Sequence, residues 1–297
     1  MFNTIISLSV NGVAMGLIYA LLAMGLILLI RAIGVMNFAQ GDLLMFGAFI
    51  CCWLTVDLQL PLWSMLPVAL ICFAALGVVF MFTVYWPLRS ASYPAATVIS
   101  TMGAAMVLKE IATLVWGSLP RSMPPVMKNP ETGKAAVLRV GSISLQWQFV
   151  LTIMVAAVLI FLVFLLFERL YAGRMMQAAA QDKYAAELLG IPTILTTAVT
   201  YIIVVTLASI GGLMVSPIFM VSNTLGSLQL RAFAGVVIGG FGNIKGAIIG
   251  SLIIGLVESF SAIQFSQYKD AVIFLVLIVV LLIRPQGLFG EKVADKA

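Results

Sequence analysis

Six stretches of this sequence carry no formal charge at all: Met1–Ile30, Leu58–Leu88, Ser90–Leu108, Val140–Phe167, Leu188–Leu230 and Ala271–Ile283. A bilayer core is about 30 Å thick, so a spanning helix needs about 20 apolar residues at 1.5 Å each. Of the 297 residues, 63% are apolar by type and 9% are charged. A soluble domain averages roughly 45–50% and about 25%, so this chain has too few charges to cover a water-facing surface. Outer-membrane strands would alternate over about 10 residues, and these runs do not. The sequence therefore predicts an all-α, polytopic transmembrane helical bundle of eight or nine spans, one domain over residues 1–297.

Taking the gaps as loops places the spans at Ile5–Ile30, Val35–Val56, Leu62–Trp86, Ala95–Trp116, Gln148–Phe167, Leu195–Ser216, Gly226–Asn243, Gly246–Ile263 and Ala271–Ile283. With the N-terminus outside, Arg31, Arg89, Arg169, Arg174, Lys183, Lys245, Arg284, Lys292 and Lys296 fall in the cytoplasm. Lys269, Arg121, Lys128, Lys134 and Arg139 fall outside, the last four in one long loop. Nine inside against five outside favours an outer N-terminus and a cytoplasmic C-terminus. Met1-Phe2-Asn3-Thr4 lacks the basic region of a cleavable leader, so the first span is expected to remain. The net charge of +5 sits at span ends rather than on a basic face, which argues against nucleic acid.

The chain has no histidine, which removes histidine-based acid–base chemistry, haem ligation and most zinc sites. Cys51, Cys52 and Cys72 lie in apolar sequence without CxxC spacing and read as small buried hydrophobes. No catalytic residue and no metal site is expected. The loop 117–146 contains Pro120, Pro124, Pro125 and Pro130, which exclude a helix. Val137–Val140 can pair with Ser142–Leu145 as a hairpin across Gly141. The loop serves either as a docking surface or as a connector.

Two spans are defective in comparable ways. The uninterrupted apolar part Leu43–Val56 has 14 residues, about 21 Å of helix and too short to cross alone. To span, it must draw Asn37, Gln40 and Asp42 into the membrane. In the second half, Ala232–Ile244 follows Arg231 and is broken by Gly239, Gly240 and Gly242. Short or glycine-interrupted segments in corresponding halves mark the substrate region of many transporters; re-entrant pieces buried for packing are the competing explanation. Asn37, Gln40, Asp42, Gly239, Gly240 and Gly242 are thus the candidate pathway residues. A charge at mid-bilayer costs about 2.5–3.5 kcal/mol on insertion scales, which puts Asp42 near the interface or on a polar cavity. Lys109, Glu110, Arg231 and Glu258 are the intramembrane charges; interhelical pairing is expected for Lys109, which can also snorkel, and for Glu110 and Glu258. Gly12 and Gly16, Gly235 and Gly239, and Gly246 and Gly250 are each spaced for close helix approach. Gly240–Gly246 lacks phosphate-loop spacing, so any ATP-driven step needs another chain.

The loop 168–195 is the other informative stretch. Arg174 to Leu189 is dense in helix formers, with Gly190 as a left-handed stop and Pro192 beyond it. This predicts one short, alanine-rich helix with a nearly featureless surface, suited to a groove on a partner; an interfacial connector is the alternative.

These residues resemble the permease subunits of branched-chain amino acid ABC importers, the LIV or hydrophobic amino acid uptake type. The likeness rests on Tyr19–Leu26 running on through Asn37-Phe38-Ala39-Gln40-Gly41-Asp42 to Gly47-Ala48, on the Ala178–Gly190 loop, and on Gly239–Ala247 followed by Gly250, Gly255 and Glu258. The pattern is closer to the LivH-type subunit than to its LivM-type companion. Many members have His where Gln40 stands and Glu where Asp42 stands, and Gln177-Ala178-Ala179 replaces the Glu-Ala-Ala that opens the coupling loop of importers. These departures leave the solute open among amino acids, urea and short amides.

The resemblance implies a multi-pass protein of a bacterial inner membrane in the lipid bilayer. Its implied partners are a LivM-like second permease subunit, two cytoplasmic ATPase subunits and an extracytoplasmic solute-binding protein. This chain would bind no cofactor, ATP-Mg residing on the ATPases. The coupling contact would be Arg174, Gln177, Ala178, Ala179, Asp182, Ala185, Ala186, Leu189, Gly190 and Ile191. A self-contained secondary transporter or a urea or amide channel is the alternative on residues alone; intramembrane enzyme chemistry lacks both histidine and paired carboxylates.

Overall fold

The computed structural model describes residues 2–89, 93–127, 136–140, 143–264 and 266–290. The expectations for Lys128, Pro130, Lys134, Gly141, Lys292 and Lys296 lie outside them. In chain order the helices are α1 (Phe2–Ile33), α2 (Gln40–Cys52), α3 (Leu62–Phe80), α4 (Pro94–Trp116), α5 (Trp147–Arg169), α6 (Tyr171–Gln181), α7 (Lys183–Leu188), α8 (Thr193–Val215), α9 (Leu228–Gly239), α10 (Ile244–Gln264) and α11 (Lys269–Ile283). A wide turn over Trp53–Asp57 prolongs α2, wide and tight turns over Met81–Leu88 prolong α3, and a tight turn over Asn223–Ser227 leads into α9. The hairpin β1 (Val137–Val140) and β2 (Ile143–Gln146) precedes α5, with Val140 opposite Ile143.

Among the described residues, seven helices are long and apolar enough to cross a membrane. The two remaining expected spans are the defective ones. The structure makes them short helices, α2 of 13 residues and α9 of 12, or about 20 Å and 18 Å. Gly226–Asn243 is therefore not a full span: its first residues form the tight turn, and the helix ends at Gly239. Nine segments cross or enter the bundle, and two of them go only part-way.

Their order repeats. Long α1, short α2, long α3 and α4 are answered by long α8, short α9, long α10 and α11, with α5 between the two sets. Because α5 makes the intervening number odd, the second set runs in the opposite direction, an inverted-topology repeat. The contacts fit that reading. Asp57, at the far end of α2, pairs with Arg121 just beyond α4. Arg31, at the end of α1, reaches the carbonyl of Gly242 beyond α9.

The leading helix of each set forms the core. α1 is 89% buried over its most apolar window and α8 67%, against 17% for α5 and 6% for α11. An apolar outer face is what lipid solvates, so the peripheral helices need no covering. Close contacts occur at the glycine pairs. A side chain at Gly12 would meet the backbone of Leu256 at 3.0 Å, and one at Gly16 that of Leu252 at 2.9 Å, so α1 and α10 touch backbone to backbone. Gly235, Gly239, Gly246 and Gly250 bring α9 against α10 in the same way.

The loop 168–195 departs from expectation. It forms two helices, because the Asp182 carboxylate accepts from the Ala185 amide at 2.9 Å and starts α7 as an N-cap. Gly190 ends α7 at φ +81°, as its composition implies. The surface is not featureless: Tyr184, Leu188 and Leu189 are exposed, whereas Ala186 is buried and Gln177 turns inward to donate to the Phe167 carbonyl at 2.7 Å. Arg174 and Asp182 are exposed, and Ala178, Ala179 and Ala185 are half-buried.

Candidate functional site

The N-terminal ends of the two short helices meet inside the bundle. α2 cannot begin before Gln40: Gly34 takes a positive φ, and residues 34–37 are non-helical. The Asn37 side chain accepts from the Ala39 amide at 2.9 Å, a local turn that competes with helix. At the matching point the tight turn over Asn223–Ser227 releases α9 at Leu228.

Each helix start leaves backbone N–H groups that hydrocarbon cannot satisfy. Gln229 closes the junction from both of its amide atoms. Its Oε1 accepts from the Gly41 amide, and its Nε2 donates to the Asn37 carbonyl at 3.0 Å. Gln40 Nε2 donates to the Val204 carbonyl of α8 at 3.1 Å, and Asn37 Nδ2 to Gln40 Oε1 at 3.4 Å. The Phe38 amide donates to Thr101 Oγ1 of α4 at 3.2 Å. Asn37 and Gln40 are fully buried.

Asp42 sits in the first turn of α2, and its Oδ1 faces Lys109 Nζ of α4 at 3.5 Å. That oxygen is buried and accepts no hydrogen bond among the described residues. Space for it exists because Gly226 has no side chain: a Cβ there would collide with Asp42 Oδ1. Gly41 in turn lies against the Gly226 carbonyl. The negative carboxylate at the first turn also opposes the positive end of α2.

Beside the junction, a cleft is walled by Leu26, Ile30, Phe38, Phe233 and Phe241, with Asn37 and Gln229 also lining it. The three phenylalanines form a continuous series, with ring centroids 6.1 Å apart for Phe38 and Phe233 and 5.8 Å for Phe233 and Phe241. Apolar walls with a few buried amides have the composition of a small-molecule site, but in this arrangement the cavity is only about 10 Å³ and is closed to a solute.

A second polar cluster joins four helices. Arg231 of α9 binds Glu258 of α10 at 2.8 Å and Asp270 of α11 at 2.8 Å, and donates to Tyr19 Oη of α1 at 3.2 Å. Tyr19 donates to Glu258, and Lys269 stands 3.6 Å from the same carboxylate. Lys109, Arg231 and Glu258 each have an ion-pair partner on another helix. Glu110 is exposed and has no ion pair among the described residues.

The structure does not bring all the candidate pathway residues together. Asn37, Gln40 and Asp42 share the junction, but Gly239, Gly240 and Gly242 lie at the other end of α9, about 15 Å along its axis from Gln229. There Gly239 packs on Gly246, Gly240 lies 2.6 Å (for an added Cβ) from the Gly290 backbone, and Gly242 has open space. Reading residue by residue missed Gln229, Gly226 and Thr101. The available signal was the pair of polar side chains, Gln229 and Arg231, at the head of an otherwise apolar short helix.

On the loop-117 side, Arg121 forms a bidentate pair with Asp57 at 2.7 and 3.1 Å, and that hydrogen bonding raises the guanidinium above its ordinary pKa. Arg121 also exchanges backbone bonds with Val221. The start of the loop is thereby tied both to the far end of α2 and to the segment that follows α8.

Residues 8–281 match the family profile described as branched-chain amino acid transport system / permease component. The high-affinity branched-chain amino acid transport system permease protein LivH of Salmonella typhimurium is 31% identical over 96% of each chain. The corresponding BraD protein of Pseudomonas aeruginosa is 32% identical over 97% of this chain and 96% of its own. A solved structure titled PsaBC from Streptococcus pneumoniae in complex with Fab superposes on 92% of this chain and 89% of its own, with TM-score 0.48 and 14% identity, a likeness too slight to carry an argument.

Proposed function

Since the chain belongs to the family of permease components of branched-chain amino acid transport systems, we propose that it is the membrane-spanning subunit of an ATP-driven importer of branched-chain or similar apolar amino acids. The observation that carries this reading is the junction where the heads of α2 and α9 meet beside the phenylalanine-walled cleft. A branched apolar side chain suits that wall. Buried amides and two positive helix ends suit a carboxylate-bearing headgroup.

In the described arrangement the junction is closed, with Asn37 and Gln40 fully buried. Transport then requires that the α2–α9 contact open to each side in turn. The 117–127 segment, anchored at Asp57 and Val221, would carry the contact of an extracytoplasmic binding protein to α2. At the opposite end, α6 and α7 would receive the push of two cytoplasmic ATPases, with Leu188 and Leu189 as the exposed apolar contacts. A second, LivM-like permease subunit would complete the pathway. This chain would hold no nucleotide, lie in a bacterial inner membrane, and keep its N-terminus outside and C-terminus inside.

The test is purification of the tagged chain from its own membranes, followed by uptake in proteoliposomes. Two ATPase subunits and a second permease chain should co-purify. Asn37→Ala, Gln40→Ala and Asp42→Ala should each lower uptake with that assembly intact. Uptake in the absence of any ATPase would overturn the proposal, as would unchanged kinetics in all three variants. Gly190→Asp and Ala179→Arg should abolish ATP-dependent uptake while the chain still folds.

A further inference from the structure

At the α6 end of the bundle, a cavity of about 200 Å³ lies between the end of α1, the turns that prolong α3, the two loop helices and the start of α8. Ala32, Trp86, Arg89, Ala180, Lys183 and Thr193 are among the residues around it. Arg89 lies over the Trp86 ring at 3.6 Å from its centroid. Neither Arg89 nor Lys183 has a carboxylate partner among the described residues. Of the acids of the neighbouring loop, Asp182 caps α7, and Glu187 accepts from the hydroxyl of Thr193 in the cavity wall at 2.6 Å; neither forms an ion pair with Arg89 or Lys183 among the described residues.

We infer that this cavity binds the phosphate headgroup of an anionic membrane lipid. Two unpaired cations converge on a polar cavity at the end of the spanning helices, where a lipid headgroup layer lies. Tyr85 and Trp86 supply the amphipathic rings typical of that depth. Basic pockets between transmembrane helices on the cytoplasmic side are a recurrent site for such headgroups. A free phosphate would satisfy the same cations, but the surface here favours a lipid. Ile194 in the cavity wall and the nearby Leu195 and Phe82 are exposed apolar side chains on which acyl chains can lie.

The occupant would touch both the spans and the loop helices at once. It would bridge α6 and α7 to the bundle through Lys183 on one side and Arg89 on the other. This inference does not depend on which solute is carried.

Native mass spectrometry of the full-length chain in detergent, with phosphatidylglycerol and phosphatidylcholine added in equal amounts, tests it. Wild type should retain phosphatidylglycerol preferentially, and Arg89→Gln with Lys183→Gln should remove that preference, at about fivefold for each cation. Lys245→Gln, a cation at the same end whose ammonium lies over the Phe164 ring, should leave it unchanged. Both Arg89 and Lys183 are exposed, and melting temperatures of the variants check that they fold. Equal retention of the two lipids by wild type would overturn the inference. So would an equal loss in Lys245→Gln, which would mean diffuse attraction, or displacement of the lipid by millimolar inorganic phosphate, which would make phosphate the occupant.

Discussion

The heads of α2 and α9 occupy equivalent places in the two inverted halves, yet they are held by opposite chemistry. At α2 the half-helix carries the acid, Asp42, and the fourth helix of its set supplies a half-exposed base, Lys109. At α9 the half-helix carries the base, Arg231, and its own third and fourth helices supply Glu258 and Asp270. The α9 cluster is closed, with two carboxylates, a tyrosine and a lysine around one guanidinium. The α2 cluster is open, with one pair and one buried oxygen that accepts no hydrogen bond.

The other ends differ too. α9 is fixed at its C-terminus by the segment after α11: the Leu288 and Phe289 amides donate to the Ile238 and Gly239 carbonyls at 2.8 and 3.0 Å, and Asn243 donates to the Phe289 carbonyl. α2 instead lies against α8 of the other half, where Gly47 and Gly212 let the backbones touch. Shared geometry thus comes with unequal polar anchoring: more ion pairs and terminal backbone bonds hold α9 than α2.

The largest effect should come from Arg231→Ala. It leaves the buried Glu258 with only the Tyr19 hydroxyl and a more distant Lys269 at 3.6 Å, and removing one partner of a buried pair costs up to about 3–5 kcal/mol. Thermal unfolding in detergent should show a large loss, and a melting temperature close to wild type would break the idea that α9 is the anchored half. Gly41→Ala should come next. Its methyl would enter the Gly226 carbonyl and the Gln229 stem, costing about 1–3 kcal/mol as overpacking and stopping uptake. Transport at wild-type rate would mean that the junction already has slack.

Asp42→Asn keeps the shape and removes the charge. Because the Lys109 side chain is 44% exposed, stability should change by less than about 1 kcal/mol, while uptake falls severalfold. A stability loss as large as that of Arg231→Ala would make the two clusters equivalent. The smallest effect belongs to Arg121→Ala, about 0.5–1 kcal/mol for an exposed bidentate pair. Its signature should be weaker stimulation by the binding protein rather than weaker folding, read as ATPase activity with and without that protein.

Much of this architecture was legible in the sequence, because a charge-free run of sufficient length has few alternatives in a membrane. The same arithmetic flagged α2 and α9 as too short. It could not show that their heads meet, since no local pattern in Asn37–Asp42 refers to Gln229, 192 residues from Asn37. The Arg231 cluster was half visible: a charge in an apolar span demands a partner, but its identity is a matter of tertiary packing. The single helix expected over Arg174–Leu189 came from propensity alone. That expectation counts Asp182 only as part of the coupling contact, although its other use, capping a new helix three residues before Ala185, is available in the same sequence.

α5 has a consequence of its own. It belongs to neither set of four and contributes little to the centre of the molecule, yet it decides their mutual sense. Were it absent, a tandem copy of the first four helices would enter the bilayer pointing the same way as the original, and the two half-length rods would lie side by side, heads at the same height but aimed in one direction. One extra crossing turns a parallel repeat into one related by a two-fold rotation in the plane of the membrane, and head-to-head geometry at the centre of the sheet of lipid is what that crossing produces.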